Sequence, residues 1–321
     1  MAFHALLCTR DEDDIIRQSL LGFLEWADAV HVLDTGSVDR TWEVVQEMAL
    51  RDSRIKPVER RPLWFSDQLR GYLFERVRSA FREGDWILRT DSDEFYHIAP
   101  PTFARERLRR SETCVYHQYF DFKLTKGEAA RLADRGATEA ERTKPIAERR
   151  MHYVPSLYAE PRMCRYRARM SWPLTHTFPV NAGFVAQARL PIRHYPNRDP
   201  FQMRKRVRLR KAMIEAAVNE GRFSSAHHWR HEDWTANLVA DDDPSLRLWS
   251  PGRILPDPAY RNHLAPLPKR IVQRLLHAFA VRHLDRHRQS AAMIYQPEDL
   301  PDHVQEQMRA ALDEDGQLPP G

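Results

Sequence analysis

Three carboxylates fall within four residues at Asp91-Ser92-Asp93-Glu94, directly after the apolar run Trp86 to Leu88. Packing the end of a strand does not call for that much negative charge. Held on one loop, like charges repel, and they stay ionised together only with something cationic among them. Oxygen-only ligands suit a hard divalent cation, Mg2+ or Mn2+. Magnesium commonly takes one or two protein carboxylates and leaves its other positions to substrate phosphates and water. The other reading is a solvated acidic turn, and a lone Asp-x-Asp does not separate the two.

The elements around this stretch narrow the choice. Phe3 to Cys8 is apolar and predicts a first strand, followed by the polar turn Thr9-Arg10-Asp11-Glu12. Ile15, Ile16, Leu20, Leu21 and Leu24 recur at helical spacing. Ala29 to Leu33 predicts a second strand ending at Asp34, and Gly36 permits a tight turn before a helix carrying Trp42, Val45 and Met48. Ile55 to Val58 reads as an edge strand because of Pro57. Leu69, Leu73, Val77, Ala80 and Phe81 form another helical stripe ahead of Trp86. Strand and helix alternating in this way argue for a mostly parallel, doubly wound α/β sheet. Ligands bind such sheets beyond the carboxyl ends of the strands, where Thr9, Asp34 and Asp91 can converge.

On these residues, roughly 3 to 98, the chain resembles the nucleotide-binding half of a family 2-like, inverting glycosyltransferase of the GT-A fold. The matching residues are Arg10-Asp11-Glu12, Asp34-x-Gly36-Ser37-x-Asp39-x-Thr41, Arg70, and the DxD stretch Asp91-Ser92-Asp93-Glu94-Phe95. Two positions depart from the family: Asp11 stands where Asn is usual, and Gly71 stands where Asn often follows the helical Arg. The resemblance implies that Thr9 and Asp34 contact the nucleobase or ribose, and that Asp91 holds ribose or a metal-bound water. It implies further that Asp93 binds the metal, Glu94 orients the loop and Arg70 sits near the diphosphate, whose oxygens suit a guanidinium fork. A late His often completes the metal site, which nominates His194 in His194-Tyr195-x-x-Arg198, with His176 second. An inverting transfer also needs a general base for the acceptor proton. Asp121 and Glu160 are the candidates, although neither lies in a motif of the family.

Pro100 to Arg110 predicts a helix and Val115 to Phe122 a strand. Gly127 to Arg150, rich in Glu, Arg, Lys and Ala, reads as a solvated helix or mobile excursion, and His152 to Pro161 as a loop. Arg162 to Met170 alternates Met163, Arg165, Arg167 and Arg169 against Cys164, Tyr166, Ala168 and Met170. This is a basic strand face that either lines an anionic cleft or is solvated. A helix from about 201 carries Arg204, Lys205, Arg206, Arg208, Arg210 and Lys211, either as a solvated face or as a clamp on an anion. His227, His228 and His231 lack the spacing of a metal site. Pro268 to Arg288 reads as a basic amphipathic helix, suited to an anionic bilayer or to packing on the catalytic domain. The tail after Asp313 is expected to be disordered.

The division expected is a nucleotide-sugar-binding and catalytic domain over 1–200 and a mainly helical, basic region over 201–321. With 42% apolar and 30% charged residues the 321-residue chain reads as a globular protein, and no apolar run is long enough to cross a membrane. Cys8, Cys114 and Cys164 have no paired spacing, which argues against a disulfide framework and for a reducing compartment. A cytoplasmic protein is expected, with association at the cytoplasmic membrane face left open. Net charge +5 and pI about 9.2 fit an anionic partner without choosing one. The partners implied are a nucleoside diphosphate sugar and a glycan, lipid-linked or protein acceptor. No nucleic-acid motif is present. A sugar nucleotidyltransferase is one rival, although Thr9 to Asp14 lacks the glycine its first loop would carry. A non-enzymatic basic protein that binds membrane or nucleic acid is the other.

Overall fold

The computed structural model describes residues 1–168, 170–174, 176–180, 182–222, 233–256, 261–262, 266–279 and 294–313. His227, His228 and His231, the basic positions Arg169, Arg282, Arg286 and Arg288, and the tail after Asp313 lie outside them. The chain opens with β1 (Phe3–Thr9), α1 (Ile16–Leu24), β2 (Ala29–Asp34), α2 (Thr41–Arg51), β3 (Ile55–Arg60), α3 (Leu69–Val77) and β4 (Trp86–Thr90). These four strands are parallel in the order β3-β2-β1-β4, with Thr9 in register with Asp34 and Leu7 with Thr90. Both faces of this half-sheet are covered, as continuous apolar strands require. Ala5, Leu7, Val30 and Val32 pack against Ile16, Leu20, Val45 and Met48 on one face. Leu6, Leu33 and Ile87 meet Leu73, Phe74 and Trp172 on the other. The edge position of β3 follows from Pro57, which cannot donate to a further strand.

The second half of the sheet is mixed. After β5 (Glu94–Tyr96) and α4 (Pro100–Arg107) comes the long β6 (Glu112–Phe122). Three short helices follow, α5 (Lys126–Arg131), α6 (Arg135–Arg142) and α7 (Ile146–Arg149). The expected solvated excursion over 127–150 is therefore corrected. Arg149 and Arg150 are buried, Arg150 donates to Glu141 at 2.8 Å, and Arg142 grips Asp199 at 2.8 and 2.9 Å. Charged side chains enter the interior here because each long apolar stem packs and most heads meet a carboxylate. The expected loop at 152–161 contains β7 (His152–Pro155), antiparallel to β6.

Next, β8 (Pro161–Arg165) runs antiparallel between β4 and β6. It stops at Arg165, short of the predicted Met170. Met163 and Cys164 are both fully buried, so this strand has no basic face. The short β9 (Phe184–Val185) and then β10 (Leu190–His194) lie along β6, and β10 also pairs with β5. The helix α8 (Pro200–Asn219) is capped by Asp199, whose carboxylate accepts from Gln202 N at 2.9 Å. Its cations are neither a free clamp nor simply solvated. Lys205 pairs with Asp13 at 2.8 Å and with Asp39, and Arg204 stacks over Phe201 and Trp234. After β11 (Arg247–Leu248) and α9 (Leu267–Phe279), α10 (Asp302–Asp313) packs with α8 around Trp64. Backbone bonds from Trp64 to Glu298 and from Leu300 to Pro62 hold this segment to the sheet side of the molecule.

Candidate active site

In the parallel half the chain adds β2 and β3 to one side of β1 and then crosses to add β4 to the other. The crevice where strand order reverses is the favoured ligand position in such sheets. Here it lies beyond Thr9 and Thr90, and it is closed at its base by a hydrogen bond between Thr9 Oγ1 and Ser92 Oγ of 2.9 Å. β6 and β10 point the same way as β4, so Asp121 and His194 arrive at this edge too. The antiparallel β8 brings its amino end, Glu160 and Arg162. Six strands thus deliver the site residues to one side of the sheet.

The acidic loop is neutralised by arginines. Asp91 accepts from Arg70 Nη2 at 2.6 Å and from Arg162 Nη2 at 3.3 Å. The Arg162 guanidinium also meets Glu94 at 2.5 Å, Glu160 at 3.2 Å and the Tyr119 hydroxyl. Arg89 completes the group by donating to Glu160 at 3.0 Å. Burial opposes ionisation of Asp91, yet Arg70, Arg162 and Arg89 together hold its carboxyl well below the usual range. Burial pushes the Glu94 carboxyl up to about 7 even with Arg162 beside it. Glu94 also accepts from the Asp91 backbone N–H at 3.3 Å, as a loop-orienting residue would. The cation that three crowded carboxylates require is therefore supplied in large part by the protein itself.

Asp93 stands apart from this group. Its partner is His194, with Nε2 at 3.5 Å, while Nδ1 of the same ring lies 2.7 Å from Asp121 Oδ1. Strand register makes the triad: His194 is level with Glu94 on β5 and with Asp121 on β6. The ring stacks on Tyr119, with centroids 4.5 Å apart, and Tyr195 N fixes the loop by donating to Asp93 O at 2.8 Å. Burial disfavours a charged imidazole, yet the two carboxylates push His194 up to about 10. Burial likewise resists ionisation of Asp93, and His194 with Arg198 overcomes it.

The first two turns are built to a fixed shape. Asp34 is fully buried, and its Oδ1 accepts from the backbone of Gly36 at 2.8 Å and Ser37 at 2.7 Å. Its Oδ2 has no hydrogen-bond partner among the described residues. Gly36 has φ +99°, and a Cβ there would lie 2.6 Å from Pro62 Cα. Asp11 adopts φ +55°, a conformation that Asn and Asp tolerate best, which accounts physically for either residue at this position. Its Oδ1 accepts from Val38 N at 2.7 Å, joining the two turns. Arg198 clamps Asp14 at 2.6 and 2.8 Å and also reaches Glu12. Gly71 is explained by Trp172: a Cβ at 71 would meet the indole at 2.9 Å, so an asparagine there would require the indole to shift.

Thr9, Asp34, Arg70, Asp91, Asp93, Asp121, Glu160 and His194 all lie at this edge of the sheet. His176 is exposed on the loop that receives Trp172 Nε1, through its backbone carbonyl. The residues that the linear pattern did not single out are Arg162, Arg89 and Tyr119. Arg162 carried one signal, a basic residue at the first positions of a strand. Among the described residues no group of three or more His, Cys, Asp or Glu is arranged to hold a metal ion. Asp93 and His194 Nε2 nevertheless form a carboxylate–imidazole pair, oriented by Asp121 as the outer partner of a metal-binding His is usually oriented. That donor set fits a divalent cation whose other positions come from phosphate oxygens and water.

No protein-family profile and no curated protein matches the sequence. Solved structures similar in fold include TarS of S. aureus, residues 1–349, in complex with UDP-GlcNAc. It is 18% identical over 39% of this chain and 35% of its own, with TM-score 0.28, so the match spans about a third of that protein. The mannosyltransferase PcManGT from Pyrobaculum calidifontis, in complex with GDP-Man and Mn2+, is 12% identical over 98% of this chain and 88% of its own, with TM-score 0.39. Glucosyl-3-phosphoglycerate synthase from Mycobacterium tuberculosis, in complex with phosphoglyceric acid, is 17% identical over 70% and 81%, with TM-score 0.29.

Proposed function

We propose that the chain is a GT-A type glycosyltransferase that moves a sugar from a nucleoside diphosphate sugar to an acceptor hydroxyl. The observation that carries this reading is the meeting of Thr9, Asp34, Asp91 and Asp93 at the crevice between β1 and β4, with His194 beside Asp93. Nucleotide recognition falls to the rigid turns. Asp34 keeps one buried oxygen without a partner among the described residues, and Thr9 and Asp91 border the same crevice. Arg70, held by Asp91, would supply the guanidinium that a bound diphosphate calls for. Asp93 and His194 would hold Mn2+ or Mg2+, whose positive charge would stabilise the departing diphosphate.

The acceptor proton needs a base on the face of the sugar opposite the leaving group. Glu160 is engaged by Arg89, Arg162 and the Tyr158 hydroxyl, so an acceptor would have to displace a guanidinium to reach it. Asp121 is engaged by an imidazole and is the better candidate. It also sets the His194 ring, a positioning role that does not require it to touch substrate.

The test is a thermal-shift screen of nucleoside diphosphates with and without Mn2+, followed by anomeric analysis of the transferred sugar. A diphosphate that raises the melting temperature more with Mn2+ than without it is the expected result, since a ligand bound only by the folded state stabilises it. No shift with any base, or a shift indifferent to metal, counts against the reading. Retention at the anomeric carbon would remove the need for a base.

A further inference from the structure

The helix α9 turns its apolar side away from the protein. Leu267, Ile271 and Leu275 recur every four residues, with Val272 and Leu276 beside the last two, so the five share one half of the helix. They are 50 to 67% exposed, whereas a surface helix ordinarily buries such a stripe against the core. Arg274 ties the helix to the body by donating to Ser111 Oγ at 2.9 Å. Lys269 and Arg270 accompany it, and no Asp or Glu occurs from Pro258 to Leu284. Among the described residues no helix is long and apolar enough to cross a membrane.

We propose that α9 lies in the surface of an anionic lipid bilayer, its apolar side among the acyl chains and its cations against the headgroups. This arrangement matches an interfacial helix, in which apolar burial and attraction to anionic lipid act together. Charge decides between this occupant and a second copy of the chain. A symmetric pair through the same helix would gather Lys269, Arg270 and Arg274 of both copies around one seam, with no Asp or Glu from Pro258 to Leu284 to offset them. An anionic membrane surface presents the opposite sign. The inference does not depend on the glycosyl-transfer reading.

Co-sedimentation of the full chain with vesicles tests it, using phosphatidylcholine alone and phosphatidylcholine mixed with phosphatidylglycerol. Binding is expected on the mixed vesicles only. The double variant Ile271→Ser/Leu275→Ser is expected to lose at least tenfold in binding. The variant Lys269→Glu/Arg270→Glu is expected to lose about twentyfold or more, since each cation near the surface is worth about fivefold. Of the four side chains altered, Lys269, Ile271 and Leu275 are exposed and Arg270 is half-buried, so melting curves should match the unaltered protein and confirm that the variants fold. Equal binding by the variants, no binding by the unaltered chain, or a dimer in light scattering that Ile271→Ser/Leu275→Ser dissociates would each overturn the proposal. Nucleoside diphosphate binding, measured in parallel, should be the same in all variants.

Discussion

Arg162 Nη2 sits 2.5 Å from Glu94 Oε1, and neither side chain is more than 2% exposed. The pair joins the amino end of an antiparallel strand to the exit of the acidic loop. Because the same guanidinium meets Asp91 and Glu160, it draws three carboxylates, two from the acidic loop and one from the residue before β8, onto one cation. Asp93, excluded from that group, is left to His194.

Arg162→Met should therefore destabilise the fold as well as the site. Removing one partner of a buried ion pair strands the other, at a typical cost of about 3 to 5 kcal/mol. Chemical denaturation read by fluorescence measures it. Arg162→Lys should recover only part of the loss, because an ammonium cannot reproduce the fork that meets several carboxylates. A loss below about 1 kcal/mol in Arg162→Met would mean that the carboxylates find other partners.

Asp93→Asn should abolish sugar transfer with little effect on folding. The His194 pair that it breaks is about four-fifths buried on each side, but Asp121 stays on the same imidazole and leaves it partnered, so the loss should fall below that of Arg162→Met and leave the protein folded. Loss of a preorganised charge at a leaving group costs on the order of 3 kcal/mol in barrier height, about a hundredfold in rate. Turnover is compared with the melting curve at saturating Mn2+ and again with a chelator. Near-normal turnover in the folded variant would remove Asp93 from the metal site.

Gly71→Ala offers a case where two effects have opposite sign. On helix propensity alone, Ala at an α3 position stabilises by about 1 kcal/mol. The added Cβ would lie 2.9 Å from Trp172 Cδ1 on a fully buried indole, and overpacking of this kind costs about 1 to 3 kcal/mol. Net destabilisation is expected, with Gly71→Asn worse. The double variant Gly71→Ala/Trp172→Leu should cost less than the sum of the two single changes. Stabilisation by Gly71→Ala would show that the indole moves freely.

A buried histidine pair makes stability depend on pH away from the site. His4 Nδ1 lies 3.2 Å from His31 Nε2 with the rings stacked, and burial, then His4 and Lys56, brings His31 down to about 4. The unfolded chain takes up a proton near the ordinary value of about 6.5, which the folded state refuses until much lower pH. Between those limits the unfolded state binds more protons, so stability falls as pH drops. The loss is on the order of 3 kcal/mol by pH 4. Urea midpoints for His31→Gln should fall less steeply across this window than those of the unaltered chain. Parallel curves would sink the assignment.

The parallel half of the sheet was legible in the sequence because its causes are local. Apolar runs of strand length, helical stripes between them and punctuation at Gly36 and Pro57 place Thr9, Asp34 and Asp91 at strand ends without reference to any distant contact. The acidic loop and His194 at the end of its strand were legible for the same reason. What Arg162 does was not, since its role comes from the antiparallel insertion of β8 between β4 and β6, and a strand's direction is set by what it pairs with. The burial of Arg150 and the Arg142–Asp199 pair escaped the linear reading likewise, because these charges leave water only where a folded neighbour, Glu141 or Asp199, offsets their desolvation. Composition decided that the acidic loop needs a cation. Tertiary pairing decided that arginines provide it for Asp91 and Glu94, and that His194, level with both Glu94 and Asp121, provides it for Asp93.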